Sequence, residues 1–250
     1  MIRHELVARQ LDEQLAALLE TRAGGAGAGT GAGSGDGSGS GAADEPARLR
    51  VLDAGFGRGT QALRLARAGH RVTGLEQDPA LRALAAESLE AEPEDVRERV
   101  RIVAGAGQDT GAHFLPGAFD VVLCHGVLLE ARDPASTLAG LARVLAPGGL
   151  LSLLIRNDAA LAMHPGRTGD WEAALAAFDF PERAFRLEAL KSLLDGIGTP
   201  LRQWYGVRVF GTETGAPADD ERMLAAEERA GRTDPYRAVA AMLHLCAVRG

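Results

Sequence analysis

An acid followed by three alternating glycines, Asp53-Ala54-Gly55-Phe56-Gly57-Arg58-Gly59, closes a short apolar run. Glycines at such a place let the backbone turn sharply and come close to a ligand. A second acid, Glu76, closes the next apolar run. A carboxylate there can accept hydrogen bonds from both hydroxyls of a ribose. A pyrophosphate-binding loop needs G-x-G-x-x-G at the start of a helix. Here the third glycine comes one residue early. Asp53 would also repel a pyrophosphate.

The elements that must hold these residues follow from the apolar spacing. Strands are predicted over Leu49–Ala54, His70–Glu76, Val100–Ala104, Phe119–Cys124 and Leu150–Ile155. Helices are predicted between them, over Gln61–Ala68, Pro79–Ala91 and Pro134–Leu145. Asp78 and Asp133 stand where N-caps belong, each followed by a proline suited to a first turn. Pro147-Gly148-Gly149 reads as a turn. Strand–helix alternation of this kind gives a mainly parallel sheet with helices on both faces. Further helices are expected over Ala159–Phe178 and Leu187–Leu194, and late strands over Trp204–Phe210 and Met242–Val248. The late strands suit an antiparallel edge. The expected fold is therefore α/β, a doubly wound, mainly parallel seven-stranded sheet. The expected organisation is an N-terminal helix over 1–22, a flexible linker over 23–43, and one domain over 44–250 with a helical insertion near 158–185. Leu6, Val7, Leu11, Leu15, Leu18 and Leu19 recur at helical spacing in the first segment, while the linker is nearly half glycine and has little to bury.

Two more stretches reach the same sheet edge. Gly105-Ala106-Gly107-Gln108 follows the third strand, where small residues admit a flat base and Gln108 can read its edge. Cys124-His125-Gly126 ends the fourth strand, which places His125 beside the reacting group.

The composition removes several function classes. The chain has 250 residues, 46% of them hydrophobic and 24% charged, enough for a buried core. Two cysteines do not make a disulfide scaffold and suit a reducing, cytoplasmic setting. The longest apolar run, Gly148–Ile155, is far short of a membrane span, and the charged N-terminus is no secretory signal. A net charge of −7 argues against generic nucleic-acid binding. Lys191 is the single lysine; the other basic side chains are arginines, which grip carboxylate or phosphate through a planar fork. No Cys/His metal pattern is present, so no metal is expected.

The acid followed by G-x-G-x-G, the second acid and the Leu145-Ala146-Pro147-Gly148-Gly149 turn resemble class I S-adenosylmethionine-dependent methyltransferases, whose fold is Rossmann-like. Ile2-Arg3, Phe119–Glu130, Gly206-Val207-Arg208-Val209-Phe210 and Ala226–Tyr236 are similar to the bacterial tRNA 5-carboxymethoxyuridine methyltransferase family. Against that family the glycine tract is an insertion, and Arg156 stands where an aromatic residue is expected. The resemblance implies S-adenosylmethionine as cofactor and methyl-ester formation on tRNA. It implies that Arg3, Asp53, Gly55, Phe56 and Gly57 meet the methionine moiety, and that Glu76 holds the ribose. Gly107 and Gln108 would border the adenine, and His125 would lie beside the cofactor. Arg208 would bind the substrate carboxylate, so Arg208 and His125 are the candidate catalytic residues.

A carboxylate is already ionised at neutral pH and needs no general base, only desolvation and alignment. An amine or hydroxyl acceptor would need one, with His125, Asp133 and His164 as candidates. The residues leave three readings open: tRNA methylation, methylation of a small-molecule carboxylate, hydroxyl or amine, and non-catalytic cofactor binding. Monomer and homodimer are both open.

Overall fold

The computed structural model describes residues 2–26, 48–179, 184–210 and 221–250. Most of the glycine-rich segment lies outside the described residues, and positions 23–26 continue the first helix.

The chain opens with α1 (Ile2–Ala26). Four strand–helix steps follow. β1 (Arg50–Ala54) leads into α2 (Thr60–Arg67), and β2 (Arg71–Glu76) into α3 (Pro79–Glu90) and the short α4 (Glu94–Arg97). β3 (Val100–Ala104) leads into the short α5 (Thr110–His113), and β4 (Phe119–His125) into α6 (Pro134–Val144). β5 (Leu145–Arg156) is followed by an insertion of α7 (Met163–Arg167) and α8 (Trp171–Asp179). Then come α9 (Leu187–Gly196), β6 (Leu201–Val207), α10 (Glu221–Ala230) and β7 (Met242–Val248).

The seven strands form one sheet in the order β3-β2-β1-β4-β5-β7-β6. β1 to β5 pair in parallel, and β7 runs antiparallel between β5 and β6. The order reverses between β1 and β4, so the crevice of a doubly wound sheet opens there. Central strands are buried on both faces. On one face Leu52, Val122, Leu151 and Leu245 pack with Leu138 and Leu141 of α6 and Leu190 and Leu194 of α9. On the other, Val51, Val121 and Leu150 pack with Leu11, Leu15 and Leu18 of α1 and Leu65 of α2. The periodic leucines of α1 are thus its buried stripe, and the helix lies along the sheet over β5 and β6.

Asp78 accepts the Ala80 N–H and Asp133 the Ser136 N–H, so both expected caps form. Other boundaries differ from those expected. Pro147-Gly148-Gly149 sits inside β5, where the ladder to β4 slips between Phe119 and Val121. The helix expected over Ala159–Phe178 is broken into pieces. Gly169, with φ +80°, falls between α7 and α8, and Pro165 sits within the short α7. The strand expected over Trp204–Phe210 runs instead over Leu201–Val207 and stops before Arg208.

A carboxylate on β4 helps tie α1 to the sheet. Asp120 of β4 accepts from the Arg50 backbone N–H and side chain and from Arg22 of α1. Burial raises its pKa, but these donors outweigh burial and bring it down to about 2. The folded value lies below the unfolded one, so this stabilisation is present above about pH 4 and is lost as pH falls through 2. Asp120→Ala is expected to cost about 2–3 kcal/mol at pH 7. Thermal melts at pH 7 and pH 3 check this: the gap between variant and parent should narrow in acid.

Candidate active site

Four loops meet at the carboxyl ends of β1, β2, β3 and β4. The Gly55 and Phe56 N–H groups both donate to the Leu75 carbonyl, at 2.8 and 3.1 Å. That pulls the β1 loop against the end of β2. Glu76 then reaches across: its Oε2 accepts the Gly57 N–H at 2.8 Å and its Oε1 the Asp78 N–H at 3.0 Å. Each oxygen takes one backbone bond and keeps acceptor capacity for a ligand hydroxyl. Val127, just after β4, wedges between the loop after β1 and the loop after β3. A Cβ at Gly55 would overlap its Cγ2, and one at Gly107 would come within 2.7 Å of its Cγ1. Side chains at either place would push the loops apart.

Two cavities open on this edge and share Gly55, Gly57, Leu81, His125 and Gly126. The first, of about 340 Å³, is bounded by Asp53 and Phe56 and by Arg3 and His4 of α1. The second, of about 430 Å³, is bounded by Glu76, Gly107 and Gln108. Each falls in the range of small-molecule sites, and together they form a trough along the sheet edge. The structure therefore brings Arg3, Asp53, Gly55, Phe56, Gly57, Glu76, Gly107, Gln108 and His125 to one trough.

Arg208 lines neither cavity. It follows Val207, which pairs with Met242, and Met242 lines the first cavity. Among the described residues, Arg208 is the non-glycine residue with positive φ, at 63°. Holding a residue with a Cβ there costs about 1–2 kcal/mol. The buried Glu227 of α10 over-determines the turn, accepting the Val209 and Phe210 N–H groups at 2.7 and 3.0 Å.

The electrostatics suit a cation. Burial, and then the charge of Glu76, push the Asp53 carboxyl up to about 7. A buried acid facing a second acid is relieved by a cationic ligand. Burial, and then His4, Arg3 and Arg64, hold the His125 imidazole down near 4, so it is neutral at pH 7. The acids, the side-chain-free loops and the trough fit an adenosyl sulfonium bearing an ammonium group.

Residues 52–153 match the family model described as "Methyltransferase domain". The chain is 32% identical, over 81% of its length and 80% of the relative's, to the tRNA 5-carboxymethoxyuridine methyltransferase of Escherichia coli strain K12. It belongs to the class I S-adenosylmethionine-dependent methyltransferases. The methyltransferase is also 37% identical to the ubiquinone biosynthesis O-methyltransferase of Albidiferax ferrireducens, over 40% of this chain and 38% of that one. Its fold matches the magnesium protoporphyrin IX methyltransferase of Synechocystis PCC 6803, solved with bound SAH. That match has a TM-score of 0.54 at 19% identity and covers 81% of this chain and 75% of that one. The Rossmann-like fold and the cofactor expected from the sequence both stand.

Sequence reasoning missed several lining residues. His4 and Arg58 border the first cavity, and Arg132 the second. Arg58 lies inside the glycine motif itself, a basic residue beside the loop, and could have been read there. His4 reaches the site because Gln61 at the start of α2 donates to its carbonyl, a contact invisible to spacing. Among the described residues, no group of three or more His, Cys, Asp or Glu is placed to hold a metal ion, and no helix is long and apolar enough to cross a membrane.

Proposed function

We propose that this methyltransferase esterifies the carboxylate of 5-carboxymethoxyuridine in tRNA. Its likeness to the Escherichia coli enzyme over most of both chains supports the reading. The structural observation that carries it is Arg208, held in a strained turn by Glu227 one residue beyond the cavity-lining strand pair. Strain kept by a buried carboxylate marks a side chain whose place matters.

The bound cofactor supplies an electrophilic methyl on a cationic sulfur. The chain's own residues then have four tasks. Asp53 and Arg3 hold the ammonium and carboxylate of the methionine moiety. Glu76 accepts from the ribose, and Gly107 and Gln108 border the base. The guanidinium of Arg208 receives the substrate carboxylate, stripping water and leaving one oxygen lone pair for in-line attack. No proton needs to be moved, which suits a His125 that is neutral at pH 7.

Arginines outside the trough supply phosphate contacts in this reading: Arg156, Arg167, Arg186 and Arg202, with Arg208 of the same patch kept for the carboxylate and Arg183 outside the described residues. Arg186 bonds Asp158 and Arg167 bonds the Phe210 carbonyl, partners that an RNA would share.

The test uses unmodified-ester tRNA and a cofactor labelled in the methyl group. Label should enter tRNA and leave as methanol under mild alkali, the signature of a methyl ester. Label that resists alkali, or no label in tRNA, overturns the proposal. The ubiquinone-pathway relatives favour a second reading, small-molecule O-methylation, whose ether product would survive alkali. Glu227→Gln provides a further check. It leaves one buried N–H facing an amide, at a cost of about 1–3 kcal/mol. KM for the acceptor should rise about tenfold or more while cofactor affinity stays within about twofold.

A further inference from the structure

Behind His125, away from the loops, a line of buried polar groups crosses the sheet to α1. His125 Nε2 lies 2.9 Å from Ser152 Oγ on β5. Ser152 Oγ lies 2.8 Å from His244 Nε2 on β7. His244 Nδ1 lies 2.8 Å from Gln10 Oε1 on α1. The Gln10 amide nitrogen faces the Gly206 carbonyl at 3.5 Å. Gln10, Ser152 and His244 have no more than 0% exposure, so water cannot reorient them.

The carbonyl at the far end sets the direction of every bond. Gly206 O can only accept, so Gln10 presents its N–H₂ there and its Oε1 to His244. His244 must then donate from Nδ1, which leaves its Nε2 as an acceptor. Ser152 donates its hydroxyl to that Nε2, and its oxygen is free to accept from His125 Nε2–H. Reversing the chain would set Gln10 Oε1 against Gly206 O, two acceptors face to face. Cys246 Sγ, 3.6 Å from His244 Nε2, can share that acceptor but cannot reverse the order.

We infer that Gln10, His244 and Ser152 are positioning residues that fix His125 as the neutral Nε2–H tautomer, so that the cofactor's sulfonium meets an uncharged ring carrying a lone pair on Nδ1. A cation beside an imidazolium would be repelled; beside a lone pair it is attracted. The surrounding charges work in the same sense. Arg3 and His4 of α1 and Arg64 of α2 oppose a proton on His125, and burial followed by His125 lowers the pKa of His244 of β7 behind it. Asp53 of β1, Glu76 of β2 and Glu130 after β4 are the acids on the same trough, and the first two are committed to other groups of the cofactor in the reading above. The inference rests on the sulfonium lying beside His125, and is independent of the methyl acceptor.

The test has two readouts. In the ligand-free protein, long-range nitrogen–proton NMR, assigned with His125→Asn, should show a protonated Nε2 and an unprotonated Nδ1 at pH 7. The second readout compares S-adenosylmethionine with S-adenosylhomocysteine, whose sulfur is uncharged. Ser152→Ala frees the ring, and it should weaken the charged ligand about tenfold while changing the neutral one less than about threefold. Ser152→Thr restores the hydroxyl and should restore the ratio. A protonated Nδ1 in the parent, or equal changes for both ligands in Ser152→Ala, overturns the inference. Loss of binding of both ligands by the parent protein would instead overturn the cofactor placement, while the tautomer readout would still stand.

Discussion

Asp53→Asn should make the ligand-free methyltransferase more stable and its grip on S-adenosylmethionine weaker. The folded protein holds the Asp53 carboxyl near 7, through burial and then through Glu76. In the unfolded chain it titrates near 4. Between those values the unfolded state gives up its proton first, so the native state loses relative stability as pH rises from 4 to 7. Above pH 7 the penalty is constant, at up to about 4 kcal/mol. Asparagine has no proton to lose and escapes it. Melting curves at pH 8 should therefore favour the variant, and the difference should vanish near pH 4. Binding runs the other way. A cationic ligand needs the ionised acid, so the parent's affinity should be flat above pH 7 and fall up to about tenfold per unit below it. The variant should bind at least about a hundredfold more weakly at pH 8 and show no such pH dependence. An unchanged melting temperature at pH 8 together with undiminished binding would remove Asp53 from the site.

Gly55→Val is the second large effect. Gly55 has φ +93°, a region closed to a β-branched side chain, and its new Cβ would overlap Val127 Cγ2. Relief requires Val127 to retreat, yet Val127 also packs where a Cβ on Gly107 would sit. Both walls of the trough would shift together. The expected result is a stability loss of about 2–4 kcal/mol and cofactor binding reduced more than about a hundredfold. Pairing the change with Val127→Ala removes the overlap but not the backbone strain. Stability should then recover in part, and binding should stay impaired. Calorimetric titration and thermal melts on both variants check the two halves separately. Full recovery of binding in the pair would mean that the turn itself is dispensable.

The trough was readable because its determinants are local. Asp53, Gly55, Gly57 and Glu76 each stand at the end of a strand whose burial is written in consecutive apolar residues. The caps at Asp78 and Asp133 were readable for the same reason. What escaped depends on partners far away in sequence. β6 ends at Val207 rather than Phe210 because Glu227 takes the Val209 and Phe210 N–H groups out of the ladder. Nothing in the apolar pattern of Trp204–Phe210 announces that. Pro147-Gly148-Gly149 looks like a turn, but its flanks Leu145 and Leu150 both pair with β4 across a slipped register. Ser152 and His244 read as ordinary members of buried strands. Only their meeting with Gln10, across three elements, shows that they form a chain ending on His125. Arg208 was readable as a candidate from resemblance, but its strained backbone was not.

The most direct measurement is a calorimetric titration of S-adenosylhomocysteine into the parent protein and into Glu76→Ala. The variant removes one carboxylate and leaves the Gly57 and Asp78 N–H groups near solvent rather than buried. One equivalent should bind the parent, and the variant should bind about thirtyfold more weakly or worse, with its melting temperature little changed. Equal binding by both proteins, or no uptake by the folded parent, would contradict the account.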